Sequence, residues 1–404
     1  MSSNIITGIF SPQIEIKQVQ SLNKLKDFIF LPWKIYKAYP FWSPALVSKE
    51  FRRLSKRQNP FFLHSDAAFF VAYQEGKPVG RIAAIMNNRH EAFHHDGVGF
   101  FGFFETTDDY RVAKQLLMAA EKWCKERGKR SLVGPVNLSI HDEYGLLIEG
   151  FQQNPYIFMP YNPPYYSAFL ERLGFQKYKD MFAYQVDIQQ HKDSISRLET
   201  TLASEDPIPN LTFRDLRGAH PKETLKRVFQ AVFNPEWQQQ YGFLPLTVEE
   251  MNFRIKEYAK WIIPELILIG EVNATPVSCM ILLPNFNEVT YRFNGPFSFL
   301  NNLLLSYYKH QIHTARCVLL LVRRHLRSHD IHLKMIQEAV RRFKKLGINA
   351  MELGWISEDH IATRHAIESF GLKPIKQYRL FTKDIPQEHL FTFSATQEHH
   401  PLPS

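Results

Sequence analysis

Cysteine is scarce in this chain: three in 404 residues, at positions 124, 279 and 317, with no C-x-x-C pair. That spacing excludes a disulfide framework and a thiolate zinc site, and predicts reduced, buried thiols in a cytoplasmic protein. No apolar run approaches the length that spans a bilayer. The first residues, MSSNIITGIF, show no basic stretch followed by an apolar one, so no signal peptide is expected. Catalytic signatures are missing as well. There is no G-x-S-x-G elbow, which removes serine-histidine-acid hydrolysis. There is no H-E-x-x-H or paired His/Cys spacing, so no metal is expected. A dinucleotide fingerprint is absent, and so are the marks of helix-turn-helix and zinc-finger DNA binding. What remains is globular: 45% hydrophobic and 22% charged, too apolar for wholesale disorder. The length suits two domains of about 190 residues better than one core.

The chain repeats itself. Residues 72–87, AYQEGKPVGRIAAIMN, are answered by 270–285, GEVNATPVSCMILLPN, with Pro78, Val79 and Asn87 each 198 positions before Pro276, Val277 and Asn285. Glu171–Lys179 is answered by Glu368–Lys376, 197 positions on. Between these anchors each copy has a helical pattern closed by glycine, Gly128 and Gly347, here 219 apart. The difference is cancelled by about 22 extra residues in the first copy, roughly 139–160. A repeat that survives compensating insertions is a duplicated domain, and its period is too long for a solenoid or propeller.

The predicted organisation follows. Residues 1–12 form a loose leader, 13–188 a first unit, 189–211 a polar linker, 212–383 a second unit and 384–404 a disordered tail. Each unit holds a hairpin of β-branched and aromatic strands, a further strand, an amphipathic helix ended by glycine, a strand, a short helix and a last strand. Asp108 and Asp109 offer N-caps for the first amphipathic helix. A helix over 299–314 is expected only in the second copy.

Net charge is +9, and it is uneven. From Lys309 to Lys345 ten Lys and Arg face two acids, Asp330 and Glu338. A solvated helix face explains Lys344 and Lys345. The run RRHLRSH at 323–329 falls where a strand hands over to a helix, a place suited to an anion.

The insertion, GPVNLSIHDEYGLLIEGFQQNPYIFMPYNPPYY (134–166), sets Asn137, His141, Asp142, Glu143 and Asn162 among aromatics at a strand end. Loops on a rigid sheet commonly bind ligands. Asp142 and Glu143 would pair with a cationic acceptor or deprotonate an amine. The structural alternative is that they cap a turn before Gly145. Tyr166, in helical phase with Phe169 and Leu170, is expected in the core.

The element order, with short helices ending E-x-x-G-[FL], resembles the GCN5-related N-acetyltransferase (GNAT) fold. The first copy carries Asn162, Tyr165, Tyr166, Phe169 and Gly174-Phe175; the second carries Trp355 to Asp359, Ile367, Gly371-Leu372 and Tyr378-Arg379-Leu380. The resemblance covers nearly the whole chain, which therefore looks like a tandem GNAT protein similar to a bacterial group of that kind. It implies an α/β (α+β) fold: two GNAT-like domains, each a mixed, mostly antiparallel sheet with splayed central strands flanked by helices. It also implies acetyl- or longer acyl-coenzyme A as donor. The GNAT fold takes the pyrophosphate on backbone N–H groups at a helix N-terminus, in the pattern [RQ]-x-x-G-x-[GA]. The first copy has no glycine there and two acids, Asp108 and Asp109. The second has Arg327 in place, with Asp330 and His332 at the small positions. The donor is therefore expected on the second copy, at Val322, Arg324, Arg327, Ser328, His329, Asp330, Ile331 and His332. The acceptor is expected on Asn137, His141, Asn162 and Tyr166. The resemblance asks for a base and a thiolate donor; Asp142, Glu143 and Glu352 are candidates for the first, Tyr165 for the second.

The expected function is N-acyl transfer to an amine on a small-molecule or lipid-like acceptor. Two alternatives stay open. A Fem-type aminoacyl transferase also uses tandem GNAT-like domains and would grip tRNA with the basic stretch at 309–345. A catalytically inactive pair would serve as a ligand-binding or scaffold module.

Overall fold

In the computed structural model the described residues are 12–203, 208–217, 221–228, 244–258, 262–290 and 307–387. Nearly all of the expected leader and tail, and the first half of the helix expected over 299–314, lie outside them; in the described half Lys309–Gln311 is a 3-10 turn and Thr314 already opens a strand, so the expected helix does not extend to 314. The first half runs β1 (Ile14–Gln18), α1 (Leu22–Ile35), α2 (Val47–Arg53), β2 (Asp66–Gln74), β3 (Lys77–Met86), α3 (Asn88–His94), β4 (Val98–Thr106), α4 (Tyr110–Lys125), β5 (Ser131–Gly134), β6 (Leu146–Glu149), α5 (Tyr165–Arg172) and β7 (Gln176–Asp187). The second runs α6 (Lys192–Ala203), β8 (Leu211–Arg214), α7 (Pro221–Val228), α8 (Val248–Tyr258), β9 (Ile267–Val272), β10 (Thr275–Pro284), α9 (Asn287–Thr290), β11 (Thr314–Val322), α10 (Ile331–Leu346), β12 (Ala350–Ser357), α11 (Ile361–Ser369) and β13 (Pro374–Asp384). Helix α6 lies inside the stretch read as a linker.

The sequence repeat becomes a structural one. Strands β3 and β10 begin 198 residues apart, at Lys77 and Thr275. Helices α4 and α10 bury the same kind of face, Val112, Leu116 and Ala120 in one and Ile336, Ala339, Val340 and Phe343 in the other. Both stop at a glycine with positive φ, Gly128 at 72° and Gly347 at 71°, where a side chain would be strained.

The strands form a single sheet in the order β1-β2-β3-β4-β5-β13-β7-β12-β11-β10-β9-β8, with β6 beside β13. All neighbours are antiparallel except β4–β5 and β11–β12. The order is symmetric about the β13–β7 seam, and the two expected sheets are halves of one. The last strand of each half has crossed over: β13 inserts between β5 and β7, and β7 pairs with β12. Ion pairs tie this seam, Lys376 Nζ to Glu352 at 2.6 Å and Arg379 to Asp180 at 2.7 Å. Both faces of the sheet are covered, giving two apolar clusters in each half. That is why β3 and β10 read as near-continuous apolar runs rather than alternating ones. All three cysteines are free and buried, and burial pushes each thiol up to about 12. Among the described residues no helix is long and apolar enough to cross a membrane.

Candidate active site

Strands β11 and β12 pair only over Thr314–Cys317 and Ala350–Leu353. Past those residues they part. The parting begins at a bulge: opposite β10, Ile281 faces Leu319 and Leu282 faces Cys317, so Val318 is the extra residue. A bulge bends and twists its strand. The space between the diverging strands is a cavity of about 910 Å³, near the upper end of the roughly 300–1,000 Å³ usual for ligand sites. One wall is Val318–Val322, another Leu353–Ser357. The N-terminal ends of α10 and α11 close one side, with Asp330, His332, His360 and Ile361. Across from them stand the first-half insertion, Ser139 to Tyr144, and α8 with Phe253 and Arg254. Phe61, Phe158, Leu320, Leu333, Ile336 and Ile367 make much of the surface apolar.

The donor end lies where β11 passes through Arg323 and a short 3-10 turn, Arg324–His329, into α10. Asp330 precedes the helix with φ of 48°, and its side chain makes no capping hydrogen bond to it. Val322, Asp330 and His332 line the cavity, with His332 Nε2 3.8 Å from Asp330. Ile331 is fully buried in the core. Arg324 and His329 are exposed on the turn; Arg327 and Ser328 share it, and their side chains lie outside the described residues. Further along the basic stretch the charge is partly neutralised: Arg341 and Arg342 pair with Glu338, and Arg342 also with Asp215.

The acceptor end is built by the insertion. Glu143 accepts from Arg53 at 2.8 Å, and Arg53 also holds Glu50 at 2.7 Å. Burial alone would raise the Glu143 carboxyl, but Arg53 and then Lys49 outweigh it and hold it at about 2. Arg254 lies 3.3 Å from Asp142 and donates to the His141 carbonyl at 2.7 Å. The His141 Nε2–H donates to the Leu244 carbonyl at 2.8 Å, which leaves the lone pair of the neutral ring on Nδ1. Burial, then Arg254, lowers this histidine to about 4, so it is neutral at pH 7. Lys49 sits over the Phe158 ring at 3.9 Å; burial lowers its ammonium, with Glu143 pulling the other way.

The other expected site residues stand elsewhere. Asn137 lends Oδ1 to the Phe103 N–H at 2.7 Å. Asn162 bridges β6, accepting from Leu147 N–H at 2.7 Å. Tyr166 is fully buried; its hydroxyl accepts from Thr106 N–H at 2.8 Å and donates to Glu105 at 2.9 Å. Tyr165 donates to the Thr106 carbonyl at 2.8 Å, and burial raises its pKa. Glu352 is fully buried against Lys376. None of these five lines the large cavity. Lys49, Arg53 and Arg254 were not singled out from sequence, because α2, α8 and the insertion meet only after folding. The one local signal was the Glu50–Arg53 spacing on an otherwise buried helix face.

The family model described as "Acetyltransferase (GNAT) family" matches residues 33–141. Protein YghO of Escherichia coli (strain K12) is 31% identical over 388 residues, 94% of this chain and 98% of that one. The chain belongs to the GNAT superfamily. A second curated relative, "Bacterial ceramide synthase" of Caulobacter vibrioides, is 29% identical over 378 residues, 92% of this chain and 97% of that one. Among solved structures, a tandem GNAT protein from the clavulanic acid biosynthesis pathway aligns with a TM-score of 0.53 at 10% identity, covering 93% of this chain and 99% of that one. A GNAT from Sphaerobacter thermophilus aligns at 0.51 and 12% identity, over 93% and 96%. At those identities the likeness is one of fold, and it extends the tandem GNAT architecture across both halves.

Proposed function

We propose that this GNAT protein is an N-acyltransferase that takes an acyl group from acyl-coenzyme A, held by the second half, and passes it to the amine of a long-chain, lipid-like acceptor. The observation that carries this reading is the single cavity joining the N-terminus of α10 to the charged cluster of the insertion. The helix end, without a side-chain cap, suits a pyrophosphate, since the first N–H groups of a helix and its dipole favour an anion. Beyond Cys317 the edge of β11 has no ladder partner on β12, so its peptide groups suit an extended pantetheine arm. Phe61, Phe158, Leu320 and Ile367 suit alkyl chains. A curated relative is named a bacterial ceramide synthase, which supports a lipid-like acceptor.

Acyl-coenzyme A supplies an activated thioester when bound. The chain must hold the amine beside it and remove its proton. Asp142 and Glu143 attract the ammonium form. Glu143, held at about 2, is a poor base and serves as a fixed negative charge. The amine nitrogen forms the C–N bond as the thioester C–S bond breaks, and the proton it sheds ends on the departing coenzyme A thiolate, while His141, neutral at pH 7, adds no competing positive charge beside the amine. The apolar walls exclude water, which protects the thioester from hydrolysis. Isothermal titration with acetyl- and palmitoyl-coenzyme A, followed by mass spectrometry of a reaction with hexadecylamine, tests this. Binding of a long acyl-coenzyme A and an amide product are expected; no binding by either donor overturns it.

A further inference from the structure

A basic segment of the first half ends in an apolar tip beside the large cavity. From Val47 to Leu63, VSKEFRRLSKRQNPFFL, five Lys and Arg stand against one acid, Glu50. The segment starts as α2 and ends as a 3-10 turn, Pro60–Leu63, where Asn59 Oδ1 accepts from the Phe61 N–H at 3.0 Å. The turn sends its apolar side chains in different directions. Phe61 is 4% exposed and walls the cavity, whereas Leu63 is 75% exposed. Phe62 is half-buried, and its ring meets Phe61 edge-on at 5.2 Å. Apolar surface thus continues from the tip to the cavity wall.

The start of α8 adds to this tip. Glu250 accepts from the Thr247 N–H at 2.9 Å, and Thr247 Oγ1 accepts from the Glu250 N–H at 3.1 Å, a reciprocal cap. Glu250 also accepts from Arg89 at 2.8 Å and lies 3.1 Å from His64 Nε2, which pins the helix start beside the turn. Val248 stands three and seven positions before the buried Met251 and Ile255. It carries the apolar stripe of α8 past the core and is 56% exposed. Lys56 Nζ is 5.8 Å from the Phe62 ring, and its pairing with Asp66 is a surface one, which holds weakly. Arg57, next in the chain, is exposed.

Exposed Leu and Val flanked by cations suit a lipid surface of negative charge, where apolar side chains enter the acyl boundary and cations meet headgroups. A long-chain amine is scarce in water and concentrated in such a surface. We propose that Phe62, Leu63 and Val248, with Lys56 and Arg57, dock the protein on an anionic membrane surface, so that the acceptor passes along Phe62 and Phe61 into the cavity without crossing water. This goes beyond the transfer reaction and rests on the lipid-like acceptor proposed above.

Co-sedimentation with phosphatidylcholine vesicles, with and without phosphatidylglycerol, tests it. The wild type binds the mixed vesicles at least about tenfold more tightly than the neutral ones. Leu63→Glu with Val248→Glu weakens binding to mixed vesicles at least about tenfold. Lys56→Gln with Arg57→Gln weakens it about fivefold to thirtyfold on mixed vesicles and leaves neutral ones unchanged. Circular dichroism reports whether each variant is folded, and Leu63→Glu alone, on an exposed turn, decides if the double variant is not. With palmitoyl-coenzyme A, kcat/KM for hexadecylamine held in mixed vesicles falls in step with binding, while kcat/KM for dissolved octylamine is unchanged. No vesicle binding by the wild type overturns the inference, as does a folded apolar-tip variant that binds as well. A wild-type dimer that this variant splits, seen by sedimentation velocity, assigns the tip to a second copy and also overturns it. Absence of all acyl transfer, with vesicle binding intact and lost in the variants, overturns the function reading alone.

Discussion

In the first half, β4 and β5 pair from Val98 to Phe100 against Ser131 to Val133 and then part. The chain fills the opening itself. Val136 N–H bonds Phe101 O at 2.7 Å, Asn137 takes the Phe103 N–H and Tyr166 takes the Thr106 N–H. The backbone comes so close that a Cβ on Gly102 would stand 2.1 Å from the Val136 carbonyl. Asp109 caps α4, accepting from Arg111 N–H at 2.9 Å. In the second half the equivalent strands part and leave a cavity, and the equivalent helix has no side-chain cap. The GNAT family model matches 33–141, in the closed half. Whether a mouth stands open thus depends on a few side chains that either plug the strand edges or leave them.

Separating the halves would break this comparison most severely. Residues 1–188 expressed alone lack β13 between β5 and β7, and 189–404 alone lacks β7 beside β12. Neither fragment is expected to show a cooperative thermal transition; one in either would mean that the exchanged strands are dispensable. Filling the open mouth comes next. Leu320→Trp, on the cavity wall, should weaken palmitoyl-coenzyme A binding by roughly tenfold to a hundredfold, the scale of an overpacked site. Asp108→Arg, on the exposed junction of the closed half, should change that affinity by less than about twofold, because a lone surface charge contributes little. A large gain from the arginine would place the donor in the first half. Titration reads both.

The smallest effect concerns the cluster that the first half lends to the second. His141 is lowered from 6.5 to about 4. Between those values the unfolded chain binds a proton that the folded chain does not. Its contribution is therefore whole above about pH 6.5 and is lost as the pH falls towards 4. Glu143, lowered from 4.5 to about 2, loses its contribution in turn over that lower window. Urea unfolding should show stability falling on acidification from pH 6.5, with at most about 1.4 kcal/mol per pH unit from His141. His141→Gln should flatten the upper window and leave the lower. An unchanged slope in the variant would show that this histidine carries no linkage.

Much of this was legible in the sequence because it is local. The paired prolines 78 and 276 lie on β3 and β10, Asp109 and Gly128 bound α4, and Gly347 ends α10. The insertion and the Val322–His332 junction both contribute walls to the cavity. The strand exchange was not legible, because a pattern such as KQYRLFTK says that a strand forms and not which strand it joins. For the same reason Asn137, Asn162 and Tyr166 looked like ligand groups: a polar side chain that closes its own backbone and one that awaits a substrate read alike. Lys49, Arg53 and Arg254 belong to segments some 200 positions apart and gain meaning only where those segments meet.

The exchange also sets a timetable. Strand β7 ends at Asp187, and its neighbours are β12 and β13, the latter ending at Asp384, 197 positions later (384 − 187). At about 5–20 residues per second, a ribosome needs roughly 10–40 s to supply them. Throughout that interval the nascent first half presents bare edges at β5 and β7. Chains emerging side by side on one message are then open to trading these strands with each other, and β13 is what locks the first-made half shut.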